Sequence, residues 1–161
     1  SGILKSKKRF LGNVLKERWE WSENSDPLFI PYDEKKVIKY LQDTLISKHP
    51  LEGLYTTSVY KLGIININEY DQLLVVNIKD TKNQGNESQW FSIGEIKGWI
   101  NPRFSTDNRL ELRWINADKT ISSYNARFYP QSRNLYVVLN DRNTERTSDD
   151  ITMILEFQEI Y

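Results

Sequence analysis

The chain contains no cysteine in its 161 residues, which excludes disulfides, thiolate nucleophiles and Cys-type zinc sites. Histidine occurs once, at His49. It follows Lys48 and precedes Pro50 at an expected helix end, where a cation favours the helix dipole. No nucleophile and orienting group accompany it in a recognisable pattern, so its expected role is structural. No apolar run approaches the ~20 residues that a membrane helix needs. Neither sign of charge is in excess, with 22 lysines and arginines against 22 acids, so no global field directs the chain to nucleic acid or an anionic membrane. The oxygen-rich loops 80–87 and 140–150 lack the spacing of a calcium helix–loop–helix site and read as solvated turns. The acids form no ligand-spaced motif, and paired carboxylates for glycoside chemistry are identified by distance rather than by sequence. The expectation is a chain that is not an enzyme and calls for no cofactor and no metal.

What is present is a succession of short alternating strands. Leu110/Leu112/Trp114, Tyr124/Ala126/Phe128, Leu135/Val137/Leu139 and Ile151/Met153/Leu155/Phe157 each recur with a period of two, with polar residues such as Glu111, Arg113, Asn125, Arg127 and Glu156 between them. A period of two gives each strand one dry and one wet face. The spacing predicts strands near 53–57, 59–67, 72–80, 89–100, 108–116, 121–129, 134–140 and 150–160. The expected fold is mainly β: an antiparallel meander barrel of about eight strands, preceded by one or two helices. The hydrophobic faces also set the register, because a slip of one residue turns every side chain over. They match Leu135 to Phe128, Val137 to Ala126 and Leu139 to Tyr124, then Ile151 to Leu139, Met153 to Val137 and Leu155 to Leu135. Like faces of the Trp114 and Tyr124 strands meet only across a loop of odd length, expected to be three or five residues.

Ahead of the strands, residues 1–50 read as a helical or linker segment packing on a barrel domain of residues 51–161. Phe10, Leu11, Val14, Leu15 and Trp19 recur at helical spacing within a basic stretch over 3–22. The acids Glu17, Glu20 and Glu23 follow closely, which favours a linker helix over a polybasic membrane or nucleic-acid arm. A second helix is predicted over 34–48, with Asp33 as N-cap, a stripe of Val37, Ile38, Leu41 and Leu45, Lys48 and His49 in its last turn, and Pro50 as its stop. The opening Ser1-Gly2, without methionine, reads as an excised or mature form.

The aromatic residues supply the candidate binding positions: Trp90, Trp99, Trp114 and Tyr124. Trp90, Trp99 and Trp114 form a sugar-stacking platform if they are exposed. Trp114 and Tyr124 belong to the apolar face, where they either fill the interior or line a cavity for a small apolar molecule. Gly94 and Gly98, beside Trp99, mark bulges or bends in the fourth strand.

Glu52-Gly53-Leu54-Tyr55, Tyr60-Lys61-Leu62-Gly63-Ile64-Ile65, Tyr70 ahead of an apolar strand, and Trp90 ahead of Gly94-Glu95-Ile96-Lys97 together resemble lipocalin-like β-barrel modules. Such modules are attached to secreted or envelope proteins, peptidases among them, of Bacteroidetes-type bacteria. Gly53-x-Tyr55 is similar to the lipocalin Gly-x-Trp signature of the first strand, with tyrosine in place of tryptophan and no arginine on the last strand to cover it. The resemblance implies an extracytoplasmic, non-enzymatic accessory module that engages a neighbouring protein domain, and no catalytic residue carries over from it. A binder of a small apolar ligand and a carbohydrate-binding β-domain are the alternative expectations.

Overall fold

The computed structural model describes residues 30–66, 72–81, 91–101, 103, 108–116, 120–138 and 151–160. Among the described residues, eight antiparallel strands follow one helix: α1 (Glu34–Gln42), β1 (Gly53–Thr56), β2 (Lys61–Ile65), β3 (Leu73–Asn77), β4 (Ile96–Ile100), β5 (Arg109–Ile115), β6 (Ile121–Tyr129), β7 (Asn134–Val138) and β8 (Ile151–Gln158). Each strand pairs with the next, and β8 returns to β1, giving a closed barrel in chain order. Among the described strands, closure gives each one a paired neighbour on both sides, so none is an edge strand.

The alternating residues decide what faces inward. Ala126 lies opposite Val137 and Phe128 opposite Leu135, while Leu135 and Val137 meet Leu155 and Met153 on the other side. β5 ends at Ile115 and β6 begins at Ile121, so five residues, 116–120, separate them and Leu112 meets Tyr124. The resulting face is continuous with Leu62 and Ile64 of β2, Leu73 and Val75 of β3 and Ile100 of β4, all wholly buried. One pairing differs from expectation. Ile151 lies opposite Val138 rather than Leu139, because a bulge between Val137 and Val138 takes up one extra residue of β8. Leu139, the helix expected over 3–22, Trp90, Tyr70 and the loop 140–150 lie outside the described residues.

β2, β3 and β4 are apolar on both faces, and their outward residues need a second cover. Ile65, Leu74, Val76, Ile96 and Trp99 join Val37 of α1 in a separate buried cluster, with Ile38 and Leu41 packed against it. Asp33 accepts a hydrogen bond from the Lys36 N–H at 2.9 Å and so starts the helix. Val37 then rests on Gly63, where an added Cβ would lie 2.8 Å from Val37 Cγ1. An ion pair from Glu34 to Lys61 ties the same helix to β2.

The helix is shorter than the apolar spacing predicts. It ends at Gln42, and Leu45 is 94 % exposed instead of extending the stripe. Asp43 takes an extended conformation and its Oδ1 accepts from the Leu45 N–H at 3.0 Å. Asp side chains compete with the helical ladder in this way. Lys48 and His49 therefore follow the helix, and Lys48 Nζ donates to the Asp43 and Ile46 carbonyls, each at 2.7 Å.

The fourth strand is also shorter than the predicted 89–100. Gly94 has φ +88°, outside the range of strands, and its carbonyl accepts from Ile30 N–H at 3.0 Å. Beyond it, Val75 pairs with Gly98 and Val76 with Ile96, so Lys97 is the extra residue of a bulge. At Gly98 an added Cβ would lie 2.2 Å from the Arg113 carbonyl oxygen. The contact is with backbone, which cannot swing aside as a side chain does.

Trp114 is 6 % exposed within the interior. Trp114→Ala is expected to cost about 3–5 kcal/mol through lost contact and cavity formation, read by urea denaturation. A loss below about 1 kcal/mol would place this ring at the surface.

Candidate functional site

Of the four aromatic positions picked out by sequence, the three that are described are not gathered on one surface. Trp114 points into the barrel, paired across from Gly98 and Ser122. Its neighbour Trp99 belongs to the outer cluster beneath α1 and is 4 % exposed. Tyr124 is half-buried against the interior, its hydroxyl donating to Asn116 Oδ1 at 3.1 Å. Trp90 lies outside the described residues.

The barrel end near Trp114 is occupied by a residue that sequence reading missed. Lys97 is wholly buried, and its Nζ donates to the Ile115 carbonyl at 2.7 Å. The ammonium lies 3.6 Å from the Phe91 ring centre and 4.4 Å from those of Tyr60 and Trp114. Three ring faces attract a desolvated cation through their quadrupoles. The sequence signal was a lysine between Ile96 and Gly98 in an otherwise apolar strand, where a bulge permits it to turn inward.

The opposite end is closed by Tyr55, Phe157 and Arg133. The two rings meet edge to face at 5.9 Å, and the Arg133 guanidinium lies 3.9 Å over Phe157. Arg133 comes from the β6–β7 turn, where it holds φ +62°, and its Nη2 donates to the Glu52 carbonyl at 3.2 Å. Beside it, the buried Glu52 carboxylate accepts from His49 N–H at 2.6 Å, from Asn66 N–H at 2.7 Å and from the Tyr40 hydroxyl. This joins α1, the segment before β1 and the end of β2. His49 Nδ1 accepts from Leu51 N–H at 3.1 Å, which is a structural use of the ring. Burial raises the Tyr55 and Tyr60 hydroxyls above the ordinary tyrosine range. Tyr40 is raised by burial and by Glu52.

The outer faces of the barrel differ. The wall of β1–β4 is covered by α1 and the second cluster. On the wall of β5–β8 the registers align Arg109 with Arg127, Arg127 with Tyr136, and Tyr136 with Ile154. Their strand neighbours Leu110, Ala126, Leu135 and Leu155 all point inward. The four therefore form one row across the outside of four strands. Tyr129 leans on Tyr136 with ring centres 4.7 Å apart and planes at 66°. Tyr129 and Ile154 are 42 % and 37 % exposed. Arg109, Asn125, Arg127, Tyr129, Tyr136 and Val138, with Ala126, line a groove of about 490 Å³, and no acid is among its described lining residues. Glu111, in the adjacent row, is held by Arg113 Nε at 3.0 Å. Guanidinium forks suit carboxylate or phosphate oxygens, and tyrosine edges suit apolar or ring groups. Alternation marked Asn125 and Arg127 as wet-face positions; the register brings Arg109, Tyr136 and Ile154 into line with Arg127.

No family model, no curated protein and no solved structure matches the chain.

Two outcomes follow from the barrel ends. Lys97→Met keeps the unbranched stem and removes the charge, and is expected to stay within about 1 kcal/mol of the parent or above it, while Lys97→Ala costs about 2–4 kcal/mol. A loss above about 3 kcal/mol for the methionine variant would show that the ammonium itself holds this end closed. The second concerns alkaline pH. An unfolded tyrosine ionises near pH 10, at about its reference value, whereas Tyr40, Tyr55 and Tyr60 keep their protons to higher pH. The folded state then binds more protons, so stability is complete below about pH 10 and falls above it. Denaturation series at increasing alkaline pH check this, and a flat profile would contradict it.

Proposed function

We propose that this chain is a non-catalytic interaction module, a lipocalin-like barrel of a secreted or envelope protein that engages a neighbouring protein domain through the outer wall of β5–β8. The observation that carries the reading is the packed interior. Leu62, Leu73, Leu112, Leu135 and Leu155 are wholly buried in one continuous cluster, with the Lys97 cage at one end and the Tyr55–Phe157–Arg133 stack at the other. An eight-stranded barrel is just wide enough to be filled by side chains or to hold one small ligand, and the packing favours the first use. This argues for binding on the outside rather than for carriage of an apolar molecule within. A sugar platform presenting Trp90 and Trp99 is disfavoured because Trp99 is 4 % exposed in the cluster beneath α1, and Trp114 packs in the interior. The extracytoplasmic setting rests on the resemblance of the stretch 52–97 to envelope-attached modules.

Thermal-shift screening against fatty acids, haem-like compounds, oligosaccharides and divalent metals is expected to leave the midpoint unchanged, because a ligand of the folded state must raise it. A rise with fatty acid favours the carrier, and a rise with oligosaccharide favours the sugar-binding domain. In the producing cell, a photoreactive residue at position 136 is expected to give a discrete protein adduct that the same residue at Lys39, on the exposed face of α1, does not give. Equal labelling from both positions, or none, would overturn the reading.

A further inference from the structure

We infer that the outward face of α1 and the turn after it form a membrane-surface contact, in which Lys35, Lys36 and Lys39 meet anionic lipid headgroups and Leu45 enters the headgroup–acyl boundary. This surface lies over the β1–β4 wall, so the inference does not depend on the β5–β8 reading. The argument begins with charge. Lys35, Lys36 and Lys39 are all exposed, and the helix from 35 to 39 rises only about 6 Å. The neighbouring acids are turned to other uses. Glu34 pairs with Lys61, Asp33 accepts from the Lys36 N–H at the helix start, and Asp43 accepts from the Leu45 N–H at 3.0 Å. Among the described residues no ion pair neutralises the three lysines.

Leu45 supplies the apolar part. It is 94 % exposed, and the turn that carries it is braced: besides the Asp43 bond, Lys48 Nζ donates to the Asp43 and Ile46 carbonyls, each at 2.7 Å. Asp43 also lines, with Lys35, Ile38, Lys39 and Gln42, a groove of about 450 Å³ along the helix. The leucine therefore begins one hydrogen bond away from the cationic groove. Transfer of such a leucine to hydrocarbon is favourable, while the ammonium groups stay at the level of the headgroups. Lysines near an anionic bilayer are drawn by its surface potential, and interfacial segments use both attractions together. A protein interface needs an apolar core of matched shape, whereas Gln42, Asp43, Thr44 and Ser47 around the leucine are exposed polar residues. Duplex nucleic acid satisfies the lysines but leaves Leu45 in water. An anionic bilayer satisfies both.

The chain has no cysteine, so Leu45→Cys carries a single nitrobenzoxadiazole label, whose emission shifts to the blue and brightens on leaving water. The labelled protein is titrated with vesicles of phosphatidylcholine and phosphatidylglycerol in equal parts, and with vesicles of phosphatidylcholine alone. The expected result is a blue shift with the anionic vesicles only, requiring more lipid as salt is raised. The same label at Ile154→Cys, on the β5–β8 wall, is expected to keep its emission in water. Unlabelled protein is then floated with the same vesicles. Leu45→Ser is expected to raise the lipid needed for half-maximal binding about tenfold, and Lys35→Gln, Lys36→Gln and Lys39→Gln together at least tenfold. All four positions are exposed, and circular dichroism with the unfolding midpoint establishes that each variant is folded. No flotation, equal flotation of the parent and either variant, or an equal blue shift from position 154 would overturn the inference. Salt-sensitive binding to duplex DNA without a blue shift on vesicles would overturn it in favour of a nucleic-acid surface. Glycerol phosphate alone producing the blue shift would overturn it in favour of a small-anion site.

Discussion

Closing eight strands into a ring sends every second side chain into an interior of fixed width, and the rest of this molecule follows from how that interior is filled. The inward residues of β2, β3 and β5–β8 are mostly leucine, valine and isoleucine with single aromatic rings, and they pack from end to end. Since large-to-small changes in such packing leave cavities that relax only in part, the inward set is constrained by stability. Freedom to acquire a binding role is therefore left to the outward set and to the two ends.

The outward set is divided by the same logic. β3 and β4 are apolar on both faces, which in water requires a second layer, and α1 with its Val37 supplies part of it by sitting directly on Gly63. β5 alternates exposed and buried residues along most of its length, and among the described residues no helix packs on the outer faces of β6, β7 and β8, which carry Asn125, Tyr136 and Ile154. One wall is thus used internally and the other faces outward. The division is written in the sequence as a change from continuous apolar runs to strict alternation.

This explains what could be read without coordinates. Alternation in the second half fixed the faces and the pairing of Ala126 with Val137, because a one-residue slip would bury arginine and expose leucine. The bulge opposite Val138 was not legible, since Ile151, Thr152 and Met153 alternate without interruption. Leu45 misled for a local reason: its spacing continues the helical stripe, but Asp43 forms a turn with its own backbone two residues later. Lys97 misled in the opposite direction, because a lone charge in a strand is normally solvated and here a bulge turns it toward three rings. The Arg109–Arg127–Tyr136–Ile154 row was hidden because none of its members is adjacent in sequence and each alone is an ordinary wet-face residue.

That row carries a physical tension. Like charges directly opposite on neighbouring strands destabilise a sheet, and each of these two arginines is engaged by another group of the chain. A wall shaped only for solubility has no need to align two guanidinium groups and then continue the line with a tyrosine, braced by a second tyrosine, and an isoleucine. Interfaces favour this combination, since arginine and tyrosine offer directional hydrogen bonds and large contact area at low cost in side-chain freedom. The arrangement adds nothing to the packing of the barrel interior, whose side chains point the other way.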